Sequence, residues 1–201
     1  RHLRAAFFQL EKQVFYGTGN SAAGFAGFGD NGNMDDSDDS QVVNAGGDTA
    51  DSCYSCFVIR TNPEAVAIVA GNDGNLEMKE TTQIARLAGS ATGTYPAYYT
   101  PITGWFTLQL PSVYDVVRIG NLDFDHKLTD ELIGDAIEMF PASRPPNLIV
   151  TNRRGQNHLR EGRTATNPTG QPAPFPESVY NIPLITSDGI LDTEAVLTAA
   201  S

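Results

Sequence analysis

Between Ser52 and Asp123 the apolar residues come in short runs separated by turn residues, and this pattern predicts a β-sheet. The runs "CYSCFVIR" and "AVAIVA" are separated by "TNPE". The runs "GWFTLQL" and "YDVVRIGNL" flank "PSV", and we predict that they form paired strands. Such short runs, bounded by turn residues, are typical of strands. The segment "NLEMKETTQIARLAG" fits a strand or a helix equally well.

Two segments have the apolar spacing of an amphipathic helix. Near the start of the chain this spacing separates Leu3, Phe7, Leu10 and Val14. Gly17 follows as a C-terminal glycine, so we predict a helix of about four turns. The second segment, "LTDELIGDAIEMF", has acidic residues in its first turn and is stopped by Pro141. Its apolar stripe consists of Leu128, Leu132, Ile133, Ala136, Ile137 and Phe140.

The last part of the chain alternates strands with a helix. "NLIVT" is typical of a buried strand, "NRRGQNHLREG" predicts a helix that ends at Gly162, and "VYNIPLIT" predicts a further strand. Residues 163–178, "RTATNPTGQPAPFPES", contain four prolines and a glycine and therefore predict an exposed loop. This order of elements predicts a mixed α+β fold and not a regular βαβ array.

The segment "YGTGNSAAGFAGFGDNG", residues 16–32, contains six glycines and raises the question of a phosphate-binding loop. A dinucleotide fingerprint needs a strand before its glycines and a helix after them, so that the helix N-terminus faces the phosphates. Here a helix precedes the glycines and an acidic loop follows. The lysine and the Ser/Thr of a P-loop are also missing. We therefore expect this loop to turn the chain and not to bind phosphate.

Five aspartates lie between Asp30 and Asp39 in "GFGDNGNMDDSDDSQ". Clustered Asp and Asn oxygens suit a hard cation such as calcium. The regular spacing of an EF-hand loop and its closing Glu are missing, however. The pattern favours a solvated acidic loop, and a specific calcium site is the alternative.

The two cysteines, Cys53 and Cys56, form a CxxC in "DSCYSCFVIR". A zinc site would need two further ligands, and the sequence has no second CxxC and no HxxxH. A redox CxxC opens a helix, whereas "CFVIR" is typical of a strand, on which residues three apart point to opposite faces. We therefore predict two free cysteines with a structural role in a reducing compartment.

The histidines and their neighbouring carboxylates do not form a catalytic pattern. His2, His126 and His158 lie far apart, and neither GxSxG nor HExxH occurs. Asp123, Asp125 and His126 lie together in "LDFDH", which allows a metal site, but a strand end leading to a helix cap explains them better. We expect no enzyme activity, no metal and no cofactor.

The balance of acidic and basic residues indicates which kinds of partner the chain can bind. The chain of 201 residues has 13 basic and 24 acidic residues, a formal net charge of −11. Phosphate binding depends on clustered Lys and Arg, so this balance argues against specific nucleic-acid binding. No stretch approaches the roughly 18 consecutive apolar residues that a membrane span needs, and we expect no membrane association.

Four segments, in this order, resemble the major capsid proteins of tailed bacteriophages that have the Hong Kong 97-type shell fold. "LEKQVFYGTGNSAAGFAGF" is similar to the end of the family's spine helix and the loop that leaves it. "LIVTNRRGQNHLRE" is similar to its strand, Asn-Arg pair and helix, and "VYNIPLITSDGILDTEA" to its closing strand and acidic end. "GWFTLQLPSVYDVVRIGNLDFD" resembles its tryptophan-led hairpin through Trp105, Arg118, Ile119, Asn121 and Asp123.

The resemblance implies two domains. A peripheral domain, built on the spine helix and long strands, is expected at residues 1–127, and a mixed α/β axial domain at residues 128–201. Family members carry an N-terminal arm and an extended E-loop before the spine helix, whereas this chain begins at the helix. We therefore expect the core of a capsid protein, cut or trimmed at its start.

The function implied by the resemblance is structural, without catalytic residues. The subunit would self-assemble into the pentamers and hexamers of an icosahedral shell around phage DNA, first in the bacterial cytoplasm and then as part of the virion. An acidic wall suits packaged DNA, because clustered Lys and Arg would hold the genome to it. An encapsulin-like shell protein is the near alternative. A soluble calcium-dependent binding module, built around Asp30–Asp39, is the distant one.

The candidate interface residues lie in the arginine-rich predicted helix and in the loop that follows it. By resemblance this loop belongs to the axial domain, where subunits meet around five- and six-fold axes. In an otherwise acidic chain the local arginines are either a solvated helix face or contacts to acidic residues of a neighbouring subunit. The candidates are Arg153, Arg154, Arg160, Arg163, Pro172, Pro174 and Phe175.

Overall fold

The structure is a computed structural model that describes residues 2–30, 34, 37, 40–84 and 97–198. It divides into two compact units. Unit 1 combines Arg1–Ala67 with Leu108–Ser201, and unit 2 is Ile68–Thr107. The expected boundary between residues 127 and 128 falls inside unit 1, and it stays a prediction.

The described residues contain three α-helices and twelve short strands. The helices are α1 (His2–Tyr16), α2 (Asp130–Glu138) and α3 (Arg153–Ala165). The strands are β1 (Val42–Asn44), β2 (Tyr54–Ile59), β3 (Ala67–Ala70), β4 (Glu77–Met78), β5 (Thr82–Ile84), β6 (Ala97–Tyr99), β7 (Ile102–Thr103), β8 (Phe106–Gln109), β9 (Val116–Leu122), β10 (Leu148–Thr151), β11 (Ser178–Val179) and β12 (Ile182–Thr186).

Unit 1 is built around a six-stranded mixed sheet in the order β1-β9-β2-β10-β12-β11. β2 is antiparallel to both of its neighbours, with Val58 opposite Val117 of β9 and Ile149 of β10. The outer pairs β1–β9 and β10–β12 are parallel. A mixed sheet with helices confirms the predicted α+β class.

The two faces of the sheet are covered by different elements, and β2 contributes alternate residues to each. Tyr54, Cys56 and Val58 belong to the core that includes Ile133 of α2 and Leu159 of α3. On the other face, the rings of Phe15, at the end of α1, and Phe28 lie 5.1 and 5.6 Å from the Phe57 ring. Successive residues of β2 point to opposite faces of the sheet, and both faces are covered. The strand therefore has a continuous apolar run in the sequence instead of an alternating one.

The predicted pairing of "GWFTLQL" with "YDVVRIGNL" is wrong. β9 lies between β1 and β2, so neither of its edges is open to β8, which pairs with β3 instead. The residues between β8 and β9 form a 3₁₀ turn, Val113–Asp115, whose preceding Ser112 hydroxyl accepts a hydrogen bond from the Tyr114 amide at 3.3 Å. This turn leads the chain into a different sheet and does not close a hairpin.

The prediction of one strand for "VYNIPLIT" is also wrong, because the chain reverses inside it. β11 and β12 form an antiparallel hairpin in which Val179 lies opposite Ile182. The two loop residues, Tyr180 and Asn181, have φ values of 49° and 64°. Positive φ at both positions is the geometry of a type I′ turn, which matches the twist of the flanking strands.

Helix α1 ends where the sequence predicts, with Gly17 at a φ of 50°. Its apolar stripe is less covered than its spacing suggests. Leu3 and Phe7 are exposed, whereas Phe15 and Gln13 in the last turns are buried. Only the C-terminal end of this helix belongs to the described core.

The predicted helix "LTDELIGDAIEMF" is confirmed as α2. The Thr129 hydroxyl caps it by accepting a hydrogen bond from the Leu132 amide at 3.3 Å, and Ile133 and Ala136 are buried. Helix α3 is also confirmed, but it continues past Gly162 to Ala165. Glycine costs a helix about 1 kcal/mol and does not by itself end it.

Unit 2 consists of strand pairs that are nested in sequence, each enclosed by the next. β4 pairs antiparallel with β7, and β5 with β6, while β3 pairs with β8 across the start and end of the unit. The described part of "NLEMKETTQIARLAG" is therefore extended, and its residues beyond Ile84 lie outside the described residues. The side chains of β4 and β7 are exposed.

Candidate subunit interface

The predicted interface arginines all lie on α3, which begins directly after the inner strand β10. Asn152 caps this helix through its side-chain oxygen, which accepts a hydrogen bond from the Gly155 amide at 2.9 Å. Arg153 follows the cap and is exposed. Among the described residues no side chain pairs with it, so its charge is open to solvent.

Two of the other arginines are held within the chain. Arg154 donates to the Ser52 carbonyl at 3.1 Å, and its guanidinium lies 5.6 Å from the Tyr54 ring centroid. Arg163 makes a two-pronged contact with the Asp130 carboxylate at 2.9 and 2.8 Å, and these hydrogen bonds raise the pKa of Arg163. Both side chains tie α3 to neighbouring elements of unit 1.

Arg160 has a different partner, the ring of Phe175 in the predicted loop. The guanidinium lies 4.8 Å from the ring centroid, a cation–π contact. Phe175 is still 52% exposed, and Pro172 and Pro174 beside it are exposed too. The Arg160 Nε is buried and lacks a hydrogen-bond partner among the described residues.

The loop is seated on α3 by three contacts. The Ala173 amide donates to the Thr164 hydroxyl at 2.9 Å, and the Gln156 side chain donates to the Pro176 carbonyl at 3.1 Å. Together with the Arg160–Phe175 stack, they hold the loop against the helix. The prediction of an exposed loop is confirmed for residues 166–177, with Pro176 itself buried, whereas residues 163–165 belong to α3 and Ser178 belongs to β11.

Five of the seven candidates share one surface, which we call the α3 patch. Arg153 and Arg160 are two helical turns apart and so lie on the same side of α3. The patch consists of Arg153, Arg160, Pro172, Pro174 and Phe175. Arg154 and Arg163 have partners inside the chain and are not part of it. Contact of the patch with another subunit stays a prediction.

Sequence reasoning missed a buried ion pair on the other face of the sheet. Arg118 of β9 is 7% exposed, and its Nη2 lies 2.8 Å from Glu194 Oε2. Its Nε donates to the Ser55 hydroxyl at 2.9 Å, and its Nη1 donates to the Met34 carbonyl at 2.6 Å. A buried charge pair with this many hydrogen bonds fixes the geometry around it.

The same carboxylate is bound by the last residue of α1. The Tyr16 hydroxyl donates to Glu194 Oε1 at 2.6 Å and accepts from the Leu191 amide at 2.7 Å. Burial and the neighbouring Glu194 carboxylate raise the pKa of Tyr16, so the hydroxyl stays protonated and available as a donor. The helix end, the sheet and the residues after β12 therefore meet at one carboxylate.

Further residues of the resemblance hold the same part of the chain, residues 187–198, which we call the C-terminal segment. Asn121 donates to the Leu197 carbonyl at 3.0 Å and accepts from the Leu197 amide at 2.7 Å. Asn152, the cap of α3, also donates to the Leu191 carbonyl at 3.4 Å. A signal was present in the sequence, since Arg118, Asn121 and the acidic end were all part of the resemblance.

Asp123 organises the turn that follows β9. Its Oδ1 accepts from the backbone amides of His126 at 2.7 Å and Asp125 at 2.9 Å, and it lies 3.0 Å from His126 Nδ1. Burial alone would raise the pKa of Asp123, but the hydrogen bonds outweigh it and hold that pKa at about 2. The turn fits the expected strand end, although Thr129, and not an aspartate, caps the helix.

No group of three or more metal-ligating side chains stands close enough to hold an ion within the described part of the chain. The aspartates of the predicted acidic loop lie outside the described residues, apart from Asp30. Its carboxylate accepts from the Thr18 amide at 2.6 Å, from the Thr18 hydroxyl and from the Gly27 amide at 3.0 Å.

The Thr18 and Gly27 amides of the glycine loop are therefore already bound by a carboxylate of the loop itself. A Cβ on Gly27 would lie 2.4 Å from the Gln13 carbonyl oxygen, so this glycine is required by close packing of the backbone. These contacts agree with the prediction that the loop turns the chain.

Both cysteines are buried. Cys56 lies in the core between the sheet and α2 and α3, and burial raises its pKa to about 12. Cys53 forms an isolated β-bridge with Glu194, and its thiol donates to the Thr49 carbonyl at 3.5 Å. Burial also raises the pKa of Cys53. Raised pKa values leave little thiolate, the reactive form, at neutral pH.

Comparison of the sequence with protein-family models gives no match, and comparison with curated proteins gives none either. Within the described residues, none of the helices combines the length and apolar character needed to cross a bilayer.

Proposed function

We propose that this chain is the core of a major capsid protein of the Hong Kong 97 type. It is a structural subunit that assembles with copies of itself into the pentamers and hexamers of an icosahedral shell around phage DNA. It has no catalytic task. Its place is the virion, after assembly in the bacterial cytoplasm, and the formal net charge of −11 suits a wall that leaves packaged DNA free.

The observation that carries this proposal is the shared task of the residues behind the resemblance. Arg118 and Asn121 come from one segment of the resemblance and Asn152 from another, and each binds the C-terminal segment through a side chain. Tyr16, at the end of the helix that resembles the spine helix, binds it as well. Motif residues that hold a fold together suit a protein whose function is mechanical.

The α3 patch supplies the contact that such a subunit needs. It combines an exposed aromatic ring, two prolines and the open charge of Arg153 in a chain with an excess of acidic residues. Repetition around a ring multiplies a weak contact, because each subunit makes it twice. In this proposal the α3 patch contacts a neighbouring copy of the chain, and acidic side chains of that copy pair with Arg153.

Charge reversal and truncation in the patch test this assignment. The natural gene product would be expressed with Arg153→Glu and Phe175→Ala combined, and particles would be followed by light scattering and electron microscopy. We expect closed shells from the unchanged protein and none from the variant. Its melting temperature should change little, because exposed side chains contribute about 0–1 kcal/mol each.

Arg144→Glu is the matched control, since Arg144 is exposed outside the patch and the charge change is the same. It should assemble like the unchanged protein. Normal shells from the patch variant would remove the patch from assembly but leave the capsid proposal standing. Failure of the unchanged gene product to form any particle would contradict the capsid proposal itself.

The same preparation separates the alternatives. An encapsulin-like shell would form particles that enclose protein cargo and no DNA. A calcium-dependent module would gain several degrees of melting temperature on calcium titration, whereas a capsid core would gain little.

A further inference from the structure

A histidine lies in the interface between α3 and the sheet. His158 is 5% exposed, and its Nδ1 is 2.7 Å from the hydroxyl of Tyr54 on β2, which is fully buried. The two rings lie 5.6 Å apart at an angle of 59°. The imidazole is thus part of the surface by which α3 packs on the sheet.

The hydrogen bonds assign the protonation state of this pair. The Leu128 amide donates to the Tyr54 oxygen at 3.4 Å, and among the described residues His158 Nδ1 is the acceptor within reach of the hydroxyl proton. Nδ1 then accepts through its lone pair, and the ring carries its proton on Nε2. A second proton, on Nδ1, would replace the acceptor with a donor, so this hydrogen bond would be lost and the buried Tyr54 proton would have no acceptor among the described residues.

The surroundings contain charges of both signs. On α3, Arg154 opposes a positive imidazole and Glu161 favours it; before α2, Lys127 opposes it and Asp123 favours it. Lys127 is paired with Glu161 at 3.0 Å, which offsets part of both effects. On β2, the neutral Tyr54 faces the ring. Burial is the largest influence, and it lowers the pKa of His158 below its ordinary value.

We propose that His158 makes the packing of α3 on the sheet sensitive to acid. Protonation of Nδ1 breaks the hydrogen bond to Tyr54 and places a second positive charge beside Arg154. Helix α3 then loosens, together with the loop that is seated on it. This device goes beyond the proposed function, since it depends on contacts within unit 1 and not on shell formation.

The pH window follows from the direction of the shift. The folded protein holds the proton less tightly than the unfolded chain, whose histidine has a pKa of about 6.5. The stabilisation is therefore fully present above about pH 6.5 and is lost as pH falls below it. Carboxylates titrate at lower pH, near about 4, so the two effects separate.

Hydrogen exchange of the α3 amides tests the proposal directly. Between about pH 7.5 and about pH 5, the opening equilibrium should rise by up to about tenfold per pH unit, after correction for the intrinsic rate of exchange. His158→Asn keeps an acceptor near Nδ1 but cannot titrate, and it should abolish this rise. His126→Asn is the matched control and should retain it, because His126 is outside this interface.

If His158→Asn does not fold, nuclear magnetic resonance of the unchanged protein decides. The proposal requires the Nε2–H tautomer at neutral pH and a midpoint for His158 below about 6.5. Tyr54→Phe, which removes only the hydroxyl, should move that midpoint upward. An α3 opening equilibrium that does not change with pH, the Nδ1–H tautomer, or a midpoint at or above the ordinary value would each overturn the proposal.

Discussion

The six-stranded sheet of unit 1 and the strand pairs of unit 2 are both made of short extended segments, but their side chains have opposite environments. Every residue of β2 and β9 is buried, on both faces of the sheet. Both residues of β4 and of β7 are exposed, and Met78 reaches 73% exposure. The apolar side chains of β2 and β9 are covered by the chain itself, whereas those of β4 and β7 are not.

This difference shows where the stability of the chain is located. Burial of apolar surface contributes about 25 cal/mol per Å², so β2 and β9 make large contributions while β4 and β7 make small ones. Two-stranded pairs alone are marginally stable in water. Matched substitutions in the two units should therefore differ in cost, and each prediction below compares such a pair.

The largest effect is expected from Arg118→Met. This change leaves Glu194 buried without its cation, and breaking a buried ion pair from one side costs about 3–5 kcal/mol. Met78→Ala in unit 2 should change the free energy of unfolding by less than about 0.5 kcal/mol. Denaturant unfolding at neutral pH measures both.

A double variant shows whether the cost comes from the ion pair. Glu194→Gln removes the unpaired charge that Arg118→Met leaves behind. The double variant should therefore lose less free energy of unfolding than the two single variants lose in total. Simple additivity would show that the cost lies in lost packing and not in the unpaired carboxylate.

The next largest effect is expected when a buried isoleucine of unit 1 and an exposed isoleucine of unit 2 are each replaced by alanine. Ile119 in β9 is fully buried, and Ile119→Ala should cost about 2–5 kcal/mol through lost burial and the cavity that remains. Ile102 in β7 is exposed, so Ile102→Ala should stay within about 0.5 kcal/mol. Equal costs in unfolding experiments would mean that unit 2 is covered by contacts outside those described.

The same contrast explains which parts of the fold could be predicted from sequence. Helix α2 was predictable because its signals are local: the acidic first turn, the apolar stripe and Pro141. The hairpin at Tyr180 was not, because neither loop residue is glycine, the usual signal for a type I′ turn. The pairing of β8 with β9 was predicted because the two strands are neighbours in sequence. Strand pairing depends instead on which strand edges are open.

The candidate site was predictable to a similar extent. The exposure of the loop follows from its prolines, but the inward partners of Arg154 and Arg163 depend on elements distant in sequence. The ion pair of Arg118 with Glu194 was missed although both lie in segments of the resemblance, because the two residues are 76 positions apart and no local pattern pairs them. Local patterns indicate amphipathic elements, and tertiary contacts decide which side chains they bury.

A smaller effect is expected at two aspartates. Asp123→Asn should cost about 1.5–3 kcal/mol at neutral pH, because the Asp123 carboxylate accepts several hydrogen bonds in its charged form. Asp73 in unit 2 is exposed at a φ of 52°, which asparagine also tolerates, so Asp73→Asn should be neutral.

The pH dependence provides a second readout for this pair. The folded pKa of Asp123, about 2, lies below the unfolded value of about 3.9. Its stabilisation is therefore present above about pH 4 and is lost as pH falls through about 2. Asp123→Asn should flatten the acid limb of the stability curve, and Asp73→Asn should leave it unchanged. An unchanged limb in Asp123→Asn would contradict the role of this carboxylate.

The smallest effect is expected when alanine replaces two glycines that have open space around them. Because an added methyl group touches nothing there, any change in stability reports on backbone conformation and not on packing. A Cβ on Gly162 of α3 or on Gly74 of unit 2 would have no atom within 4 Å. Gly162 is helical, so Gly162→Ala should raise the free energy of unfolding by about 0.5–1 kcal/mol. Gly74 has a φ of 76°, which strains alanine, so Gly74→Ala should destabilise its turn by about 1 kcal/mol. Because β4 and β7 are exposed, that loss should appear as faster hydrogen exchange around Gly74 and leave the melting temperature of unit 1 unchanged. A fall in that melting temperature would show that the two units unfold together.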